Sequence, residues 1–442
     1  AGANYAACCP FHNEKSPSFM ISPERQMWHC FGCAEGGDMF KFVMKYENIE
    51  FFEALKLLAA KAGIEIQHTA GAGDAYKHIY EINRVAKDYF CSNLHGGEGA
   101  HRDEAEKYLK ERGLTSETIK EFEIGLASTI SDALLRHMVA QKRTLPDIEK
   151  AGLVFKSERG TYWDRFRGRI MFPLYNNFGK VVGFTGRVMP GVTATTGIDA
   201  AKYVNSPETP IFSKSKLLYG LHLAKNAIRG TKTAIVVEGQ MDFLMMWQDG
   251  VKNVVASSGT ALTSDQLTTL RRSAENIILS FDMDEAGLAA AERSIDLAAA
   301  QDFNIKILEI KGDYKDPADV VQSAPGKMAE FVAAAAPAMD WYFHRYIKEG
   351  EDITARKKNT RVLLSKIKQI SSPIEREHFI NELSRRTGMG TGALSEEMAG
   401  LAGKELRAEN FKTPEAPAAV PAKPSRKDLI SERILSVLAA NP

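Results

Sequence analysis

The middle of the chain alternates short apolar runs with amphipathic helical patterns. Runs rich in β-branched residues occupy Ala234–Val237, Val254–Ala256, Ile277–Phe281 and Ile305–Ile310. A helix-like pattern follows each run, which is typical of buried parallel strands joined by crossover helices. The alternation therefore predicts a compact α/β unit over residues 231–322.

The segments before this unit carry different patterns. Residues 38–46 and 51–62 have helical spacing, with Asp38 as a candidate N-cap and Gly63 as a stop. Further along, residues 170–187 read as strand, turn and strand. These patterns predict helices near the N-terminus and a β hairpin ahead of the α/β unit.

Composition divides the chain further. A stretch rich in Pro, Ala and Lys has the character of an extended linker, and an apolar helical pattern begins again after it. We predict domains at 1–68, 75–230, 231–322 and 323–405, with the last strongly helical, then the linker at 406–428 and the start of another domain at 429–442.

Carboxylates stand at the ends of two predicted strands. Glu238 follows the first apolar run, and Asp282 and Asp284 follow the third. Because the carboxyl ends of parallel strands meet at one sheet edge, these side chains are expected to converge. Converging carboxylates repel one another unless a cation lies between them, and hard oxygen ligands suit Mg²⁺ or Mn²⁺. The pattern predicts a metal site for phosphoryl chemistry.

A second acidic loop follows the fourth predicted strand. Asp316 or Asp319 in this loop could supply a further metal ligand at the same edge. Alternatively, these residues start a helix, with Pro317 at its first turn. The two roles are compatible, since an N-cap can lie near a metal.

The cysteines are concentrated at the N-terminus, where four of the five precede residue 34. The spacing C-x₂-H followed by C-x₂-C predicts a closed structural zinc site formed by Cys9, His12, Cys30 and Cys33. Gly32 is expected to allow a tight turn between the last two ligands. Cys8 could replace Cys9, and His29 adjoins Cys30, but Cys9 has the same spacing as the second pair.

Aromatic and basic residues surround these ligands. Such interleaving can track phosphates and stack unpaired bases. Alternatively the aromatic side chains cover a small core, which we favour for Phe19 and Phe31. The set comprises Phe11, Lys15, Phe19, Arg25, Trp28 and Phe31.

A basic stretch precedes the acidic α/β unit. Its cations could hold template phosphates or a triphosphate, with Arg favoured for bidentate contacts. Composition alone favours a solvated basic face over a phosphate-binding surface. The neighbouring carboxylates strengthen the case for phosphate binding without reversing this preference. The stretch comprises Arg165, Arg167, Arg169, Arg187, Lys202, Lys214 and Lys216.

Length and charge narrow the function classes. At 442 residues several domains are expected, and a net charge of +1 means that nucleic-acid binding must come from local patches. No apolar run approaches the ~20 residues of a membrane span, and no signal-peptide pattern is present. The clustered cysteines favour metal binding in a reducing cytoplasm.

Taken in order, the motifs resemble those of one family. They run C-P-F-H, C-F-G-C, R-F-R-G-R-I-M-F-P, K-Y-V-N-S-P-E-T, V-V-E-G-Q-M-D, F-D-M-D-E-A-G and K-D-P-A-D. This order closely resembles bacterial DnaG-type primase over residues 1 to about 400. The resemblance implies an α+β multidomain fold with a zinc ribbon, a mixed α/β basic subdomain, a Toprim sheet and a C-terminal helical subdomain.

The resemblance also implies an activity and its site residues. The chain would be a DNA-dependent RNA polymerase that starts short RNA primers de novo on single-stranded DNA from ribonucleoside triphosphates. Glu238, Asp282 and Asp284 match the family's central acids, with Asp242 on the following helix. Asp316 matches the first acid of a D-P-D/E loop, whereas Ala318 stands where the second is often found. The residues matching template- and nucleotide-binding positions are Arg112, Arg187, Lys202, Asn205 and Lys214.

The implied cofactors are one structural Zn²⁺ and two or more catalytic Mg²⁺ or Mn²⁺ ions. The implied partners are template DNA, which the zinc ribbon would bind, and the replicative helicase. We expect the helicase-binding domain to follow the Pro-rich linker, so that only its opening within 429–442 is present. The expected location is the bacterial cytoplasm, at replication forks.

Two other classes compete with this interpretation. A Toprim topoisomerase or nuclease would cut DNA, and a topoisomerase requires a tyrosine nucleophile near the metal. The 13 tyrosines do not exclude one, but no segment resembles a topoisomerase's DNA-cleaving domain. A zinc-ribbon DNA-binding adaptor would need none of the acidic residues.

Overall fold

The computed structural model describes residues 4–405 with short gaps. The gaps are residues 13, 15, 48, 50, 65–75, 97–99, 159, 190–200, 260, 282–284, 311, 349, 351 and 371. Asp282, Asp284, Lys15, the predicted linker and residues 429–442 therefore lie outside the described residues. Two compact units are present, one ending at Arg345 and the other beginning at Tyr346.

The N-terminal part of the first unit is an antiparallel sheet followed by two helices. Its strands are β1 (Tyr5–Ala7), β2 (Phe19–Ser22), β3 (Met27–Cys30) and β4 (Gly36–Asp38), in that spatial order, and its helices are α1 (Met39–Glu47) and α2 (Phe51–Ala62). The carboxylate of Asp38 accepts a hydrogen bond from Lys41 N at 2.8 Å, which confirms the predicted N-cap. Both predicted helices are present.

Alternation along β3 fixes what this small sheet buries. Trp28 and Cys30 point inward, at 5% and 0% exposure, while Met27 and His29 point outward. The indole of Trp28 stacks on Phe19 and is met by Phe11 and Phe42 at 5.1 and 5.9 Å between ring centroids. Four aromatic rings therefore form most of a core that would otherwise be too small to be stable.

A second sheet and several helices follow. The elements are α3 (Lys77–His95), α4 (Ala100–Glu111), α5 (Ser116–Glu121), β5 (Gly125–Leu126), α6 (Ala133–Ala140), α7 (Leu145–Lys150), β6 (Val154–Lys156), β7 (Tyr162–Asp164), β8 (Arg169–Tyr175), β9 (Val181–Val188) and β10 (Tyr203–Asn205). The sheet order is β10-β9-β8-β5, all antiparallel, and β6 pairs with β7 separately. The predicted hairpin corresponds to β8 and β9.

The core of this region lies between α3 and the β8–β9 hairpin. The ring of Phe90 on α3 meets Phe184 on β9 edge to face at 5.3 Å. Gly125 allows β5 to pass directly under α3, because a Cβ there would lie 2.5 Å from the backbone carbonyl carbon of Phe90. This close approach packs β5 directly against α3.

The predicted α/β unit forms a five-stranded sheet with order β12-β11-β13-β14-β15. Its strands are β11 (Thr233–Val237), β12 (Val254–Ala256), β13 (Asn276–Leu279), β14 (Asn304–Ile307) and β15 (Ala336–Pro337), and its helices are α8 (Leu221–Thr231), α9 (Gln240–Gln248), α10 (Ser264–Arg271), α11 (Glu285–Ala299), α12 (Pro317–Ser323), α13 (Met328–Ala333) and α14 (Ala338–Tyr346). The four predicted strands are parallel, as expected.

The fifth strand differs from the prediction. Ala336 and Pro337 lie in a stretch expected to be helical, yet they pair antiparallel with β14. Pro337 is tolerated because β15 is the sheet edge, where a missing N–H costs no ladder bond. Tertiary pairing thus overrides the helical propensity of the alanine run.

The second unit consists of α15 (Ile353–Gln369), α16 (Pro373–Thr387) and α17 (Thr391–Glu405). These helices pack on one another around Leu363, Leu364, Ile367 and Leu383. Arg361 on α15 donates to Glu397 on α17 at 2.5 Å. Among the described residues, no helix is long and apolar enough to cross a membrane.

Candidate functional site

The carboxyl edge of the parallel sheet forms a cleft lined by carboxylates. Glu238 leaves β11, Asp242 lies on the first turn of α9, and Asp316 begins α12. Ser280 and Phe281, which follow β13, line the same cleft. Asp282 and Asp284 continue directly from Phe281 but lie outside the described residues. The structure thus brings Glu238, Asp242 and Asp316 to one place, with Lys315 beside them.

Backbone bonds fix this edge. The carbonyl of Glu238 accepts a hydrogen bond from Gly259 N at 3.1 Å, which ties the end of β11 to the loop after β12. A Cβ at Gly239 would lie 3.0 Å from Oδ2 of Asp242, so glycine here leaves room for that carboxylate over the strand end. Carboxylate oxygens gathered in this way are the donor set that a hard divalent cation prefers.

Asp316 and Asp319 occupy different places. Asp316 lines the cleft and also caps α12, since its Oδ1 accepts from Asp319 N at 2.7 Å. Asp319 turns back to accept from Lys315 N at 3.0 Å and is not among the residues that line the cleft. Asp316 can therefore face a cation while capping the helix, whereas Asp319 shapes the loop.

A chain of hydrogen-bonded polar side chains joins the acidic sheet to the basic sheet. Gln240, 2% exposed, donates from Nε2 to Oγ1 of Thr185 at 3.3 Å. Thr185 in turn donates to Oδ1 of Asn205 at 2.6 Å. Thr185 and Arg187 share one face of β9, because side chains alternate along a strand. The cleft and the predicted Asn205–Arg187 surface are therefore held in fixed relation.

Arg187 is held between two tyrosine rings. Its guanidinium carbon lies 5.2 Å from the ring centroids of both Tyr108 and Tyr203, and Nη1 donates to the Tyr203 hydroxyl at 2.6 Å. Cation–π contacts on both sides restrict the side chain without neutralising its charge. A fixed, charged guanidinium is suited to bind a phosphate or carboxylate.

The other predicted cations differ in accessibility. Lys202 is exposed, Arg112 and Lys214 are half-buried, and burial lowers the pKa of Lys214. Arg169, predicted to belong to a solvated or phosphate-binding cluster, is 1% exposed and donates to the carbonyls of Gly186 and Ala201. Its role is to hold the hairpin and the following loop, so the prediction was wrong for this residue.

The cysteine motifs converge as a single donor cluster. The ligand atoms of Cys9, His12, Cys30 and Cys33 all lie within 4.8 Å of one another. Three sulfurs and one imidazole nitrogen suit a structural Zn²⁺, and four protein donors close such a site. Cys8 is exposed, and His29 lies on the outer strand face, so neither belongs to the cluster.

Glu14 organises this cluster, and its role was not predicted. Its carboxylate accepts from Cys9 N at 2.7 Å and from Ser18 N at 3.0 Å, and lies 3.2 Å from Nε2 of His12. Nδ1 of His12 faces Cys30 at 3.7 Å, so the carboxylate orients the imidazole with its other nitrogen toward the sulfurs. The only sequence signal was an acid two positions after the histidine.

The reason for glycine at position 32 also differs from the expectation. The left-handed residue of the second knuckle is Ala34, at φ 58°, while Gly32 has no positive φ. A Cβ at Gly32 would instead lie 2.5 Å from Nε2 of His12 and 2.8 Å from Ser18 Oγ. Glycine is therefore required for space beside a ligand.

The two aromatic residues assigned to the small core behave differently. Phe19 is 2% exposed, which confirms its core role, but Phe31 is 74% exposed and the prediction for it was wrong. The ring of Phe31 meets that of His29 on the outer face at 4.8 Å. The ribbon thus presents an aromatic pair to solvent.

Family models match four segments of the chain. The CHC2 zinc finger matches residues 1–74, the DNA primase catalytic core N-terminal domain 89–225, and the Toprim-like domain 235–321. A DNA primase of Geobacillus stearothermophilus is 35% identical over 96% of this chain and 70% of its own length. The chain belongs to the bacterial DnaG-type DNA primase family. It is accordingly an enzyme of the DNA primase class, as the motif order predicted.

Solved primase structures agree with this assignment. The zinc-binding and RNA polymerase domains of Aquifex aeolicus primase match 89% of this chain and 93% of that one, with a TM-score of 0.61 and 28% identity. The DnaG primase catalytic domain bound to ssDNA matches 72% of this chain and 98% of that one, with a TM-score of 0.60 and 28% identity. The predicted fold class is therefore confirmed. The zinc-finger and Toprim matches support Zn²⁺ at the ribbon and a divalent metal at the acidic cleft.

The helicase-binding segment requires a correction. The DnaB-helicase binding domain of primase matches residues 352–392, which fall within the second unit. The expectation that this domain is largely absent and only begins within 429–442 was therefore wrong. The helical propensity of 323–405 was recognised, but nothing in its pattern distinguished a binding segment from structural helices.

Proposed function

We propose that the chain makes short RNA primers de novo on single-stranded DNA, and that nucleotidyl transfer takes place in the acidic cleft. The observation that carries this assignment is the hydrogen-bonded Gln240–Thr185–Asn205 chain, which joins a carboxylate-lined sheet edge to a surface bearing Arg187. Phosphoryl chemistry needs both features close together, namely acids to hold cations and bases to hold phosphates. Ribonucleoside triphosphates are the proposed substrates.

In this proposal, Glu238, Asp282, Asp284 and Asp316 hold Mg²⁺ or Mn²⁺. Two such cations would stabilise the attacking 3′ oxygen and the leaving pyrophosphate oxygen of an in-line displacement. Asp242, which shares the cleft, orients the ligands from the helix side. Since the reaction passes through no covalent enzyme intermediate, the chain supplies positions and charges and no nucleophile.

The basic residues position the substrates. Arg187, fixed between Tyr108 and Tyr203, neutralises a triphosphate or template phosphate without losing side-chain freedom on binding. Asn205 is oriented by Thr185, and Lys202, Lys214 and Arg112 complete the electrostatic surface.

The zinc ribbon binds the template in this scheme. Exposed Phe31 and His29 offer stacking surfaces, and Arg25 on the same ribbon is exposed. The replicative helicase engages residues 352–392, and the enzyme works at replication forks in the bacterial cytoplasm. These partners follow from the family and from the matched helicase-binding segment.

The test is template-dependent synthesis from labelled ribonucleotides on single-stranded DNA, with Mg²⁺ or Mn²⁺, beside Asp282→Ala. We expect short RNA from the unmutated chain and none from the variant. Cut DNA without RNA would favour a Toprim nuclease, and no product with either metal would overturn the proposal. The zinc content of each preparation is measured in parallel, so that loss of metal is not mistaken for loss of chemistry.

A further inference from the structure

A second cleft lies away from the acidic one and is lined by cations. Lys77, Arg84 and Lys87 project from α3, Lys180 from the turn between β8 and β9, and Lys56 from α2 of the zinc-ribbon domain. We call this the junction cleft, because one wall comes from the zinc-ribbon domain and the other from the core. Its cations are not part of the motifs that identified the family.

Positive charge exceeds negative charge in the junction cleft. Five cationic side chains line it, against the carboxylates of Glu81 and Glu123. A third acid, Asp88, reaches Arg84 at 3.2 Å and Lys87 at 3.1 Å. Five cations thus face these three acids.

The acids engage only part of this charge. Glu81 pairs with Arg84 at 2.9 Å, and Glu123 pairs with the mostly buried Lys87 at 2.5 Å. Within the described residues, neither Lys77 nor Lys180 forms an ion pair with a carboxylate. Two lysines of the core wall, one on α3 and one in the hairpin turn, are thus available to an anion.

The position of the cleft suggests which anion. Lys180 lies at one end of the β8–β9 hairpin, and Arg187 lies near the other. The two residues are seven positions apart in extended chain, which is roughly 23 Å at ~3.3 Å per residue. A single nucleotide cannot span this distance, whereas a strand of nucleic acid can. The wall from α2 places the cleft beside the ribbon domain.

The side chains that line the junction cleft suit the phosphate backbone of a nucleic acid better than its bases. Lysine ammonium groups bind phosphate as point charges and do not read base edges. The aromatic rings present are already engaged, since Lys180 lies over Tyr80 at 4.9 Å and the Tyr175 hydroxyl donates to Glu123. Binding is therefore expected to be independent of sequence and strongly dependent on salt.

We propose that the junction cleft binds the phosphodiester backbone of single-stranded DNA between the zinc-ribbon domain and the core. This identification of the strand as template rests on the proposed function. The cleft acts as a third anchor, separate from the ribbon's outer face and from the acidic cleft. Long templates contact it, and short ones held at the acidic cleft do not.

The test measures binding of fluorescent 30-nucleotide and 6-nucleotide DNA to the full chain across a salt series. The variant is Lys77→Gln with Lys180→Gln, and the control is Lys142→Gln, which removes an exposed lysine that lines no described cleft. For single strands, each lost phosphate contact reduces the salt slope by about 0.7. In the double variant we therefore expect weaker binding of the 30-mer and a salt slope of its affinity that is smaller by about 1.4. The affinity for the 6-mer should not change.

Several results would overturn this inference. An unchanged slope for the 30-mer, or equal weakening of the 6-mer, contradicts a separate anchor. A 30-nucleotide RNA arm distinguishes the source of the backbone, because a loss confined to RNA would exclude template DNA. Lys56→Gln tests the opposite wall, and thermal unfolding of each variant excludes misfolding as the cause.

Binding is measured without nucleotides, so its outcome is independent of synthesis. If the unmutated chain binds the 30-mer in the expected way but makes no RNA, the proposed function fails and the junction cleft stands. If it makes RNA and the double variant binds like the control, the cleft proposal fails alone.

Discussion

Gln240 donates a hydrogen bond to Thr185 across the boundary between the acidic sheet and the basic sheet. Both residues are buried, so neither group has water as an alternative partner. Through Thr185 the contact reaches Asn205, on the strand that follows Lys202. The spacing between the proposed metal-binding acids and the proposed substrate-binding cations therefore depends on this bond.

Removing either side of this bond should impair synthesis to a similar degree. Thr185→Val leaves the buried amide of Gln240 without its acceptor, and Gln240→Met removes one of the two hydrogen bonds of the Thr185 hydroxyl. Loss of such a buried bond costs roughly 1–3 kcal/mol at the site. Because both changes break the same series of hydrogen bonds, the losses in activity should not add in the double variant. The measurement is kcat/KM for ribonucleotide incorporation in all four combinations. Strictly additive losses would mean that the two residues act independently.

Glu14 should control how tightly the ribbon holds zinc. Glu14→Gln keeps the shape but weakens the contacts to Cys9 N, Ser18 N and His12, so zinc affinity should fall roughly 10- to 100-fold. Zinc transfer to a competing chelator measures this directly. Glu24→Gln changes an exposed acid of the same ribbon and is the matched control. Equal zinc retention in both variants would show that Glu14 does not support the site.

Arg272 should hold the zinc-ribbon domain against the core. Its guanidinium lies over Tyr46 at 5.3 Å and donates to the carbonyl of Lys45, both near the end of α1. In Arg272→Ala, amide hydrogen exchange in α1 should become faster while zinc content stays unchanged. The neighbouring Arg271 instead packs on Phe303, so Arg271→Ala should leave α1 protected. Unchanged exchange in Arg272→Ala would exclude this contact as a docking interaction.

Asp164 should make stability depend on pH. Burial raises its pKa to about 7, although its carboxylate accepts hydrogen bonds from Leu134 N and Leu135 N. An acid whose folded pKa lies above its unfolded value of 3.8 binds more protons when folded. Its contribution to stability is therefore largest at low pH and declines as pH rises from about 4 to 7.

Asp164→Asn removes this titration. One of its two oxygens is replaced by an amide donor, so one backbone N–H loses its acceptor. Between pH 5 and about 7.5, the free energy of unfolding should depend less on pH in the variant than in the unmutated chain. Urea unfolding of the variant and the unmutated chain across this pH range measures the difference. An unchanged pH dependence would place the titration elsewhere.

Sequence patterns predicted the elements that depend on periodicity and spacing. The parallel strands, the helices of residues 38–62 and the four clustered zinc donors follow from alternation and from fixed ligand intervals. These signals are local, so a single chain carries them completely. The order of motifs along the chain likewise indicates the family.

What the sequence did not reveal depends on contacts between distant segments. Glu14, Thr185 and Tyr108 carry no recognisable spacing, and they matter only through their neighbours in space. Arg169 was expected at the surface because it is charged, yet it is buried. Phe31 was expected in the core because it is apolar, yet it is exposed. Residue type alone does not determine burial. The helicase-binding match at 352–392 had no local chemical signature at all.

The most direct test of the central claim uses Glu238→Gln, which keeps the shape of a cleft residue but removes its charge. RNA synthesis on single-stranded DNA and binding of the same DNA are measured with one preparation. We predict that synthesis falls at least about 100-fold while DNA affinity changes less than about twofold, because the acid acts on the chemistry and the basic surfaces hold the template. Synthesis at the unmutated rate would contradict the account and favour a DNA-binding adaptor.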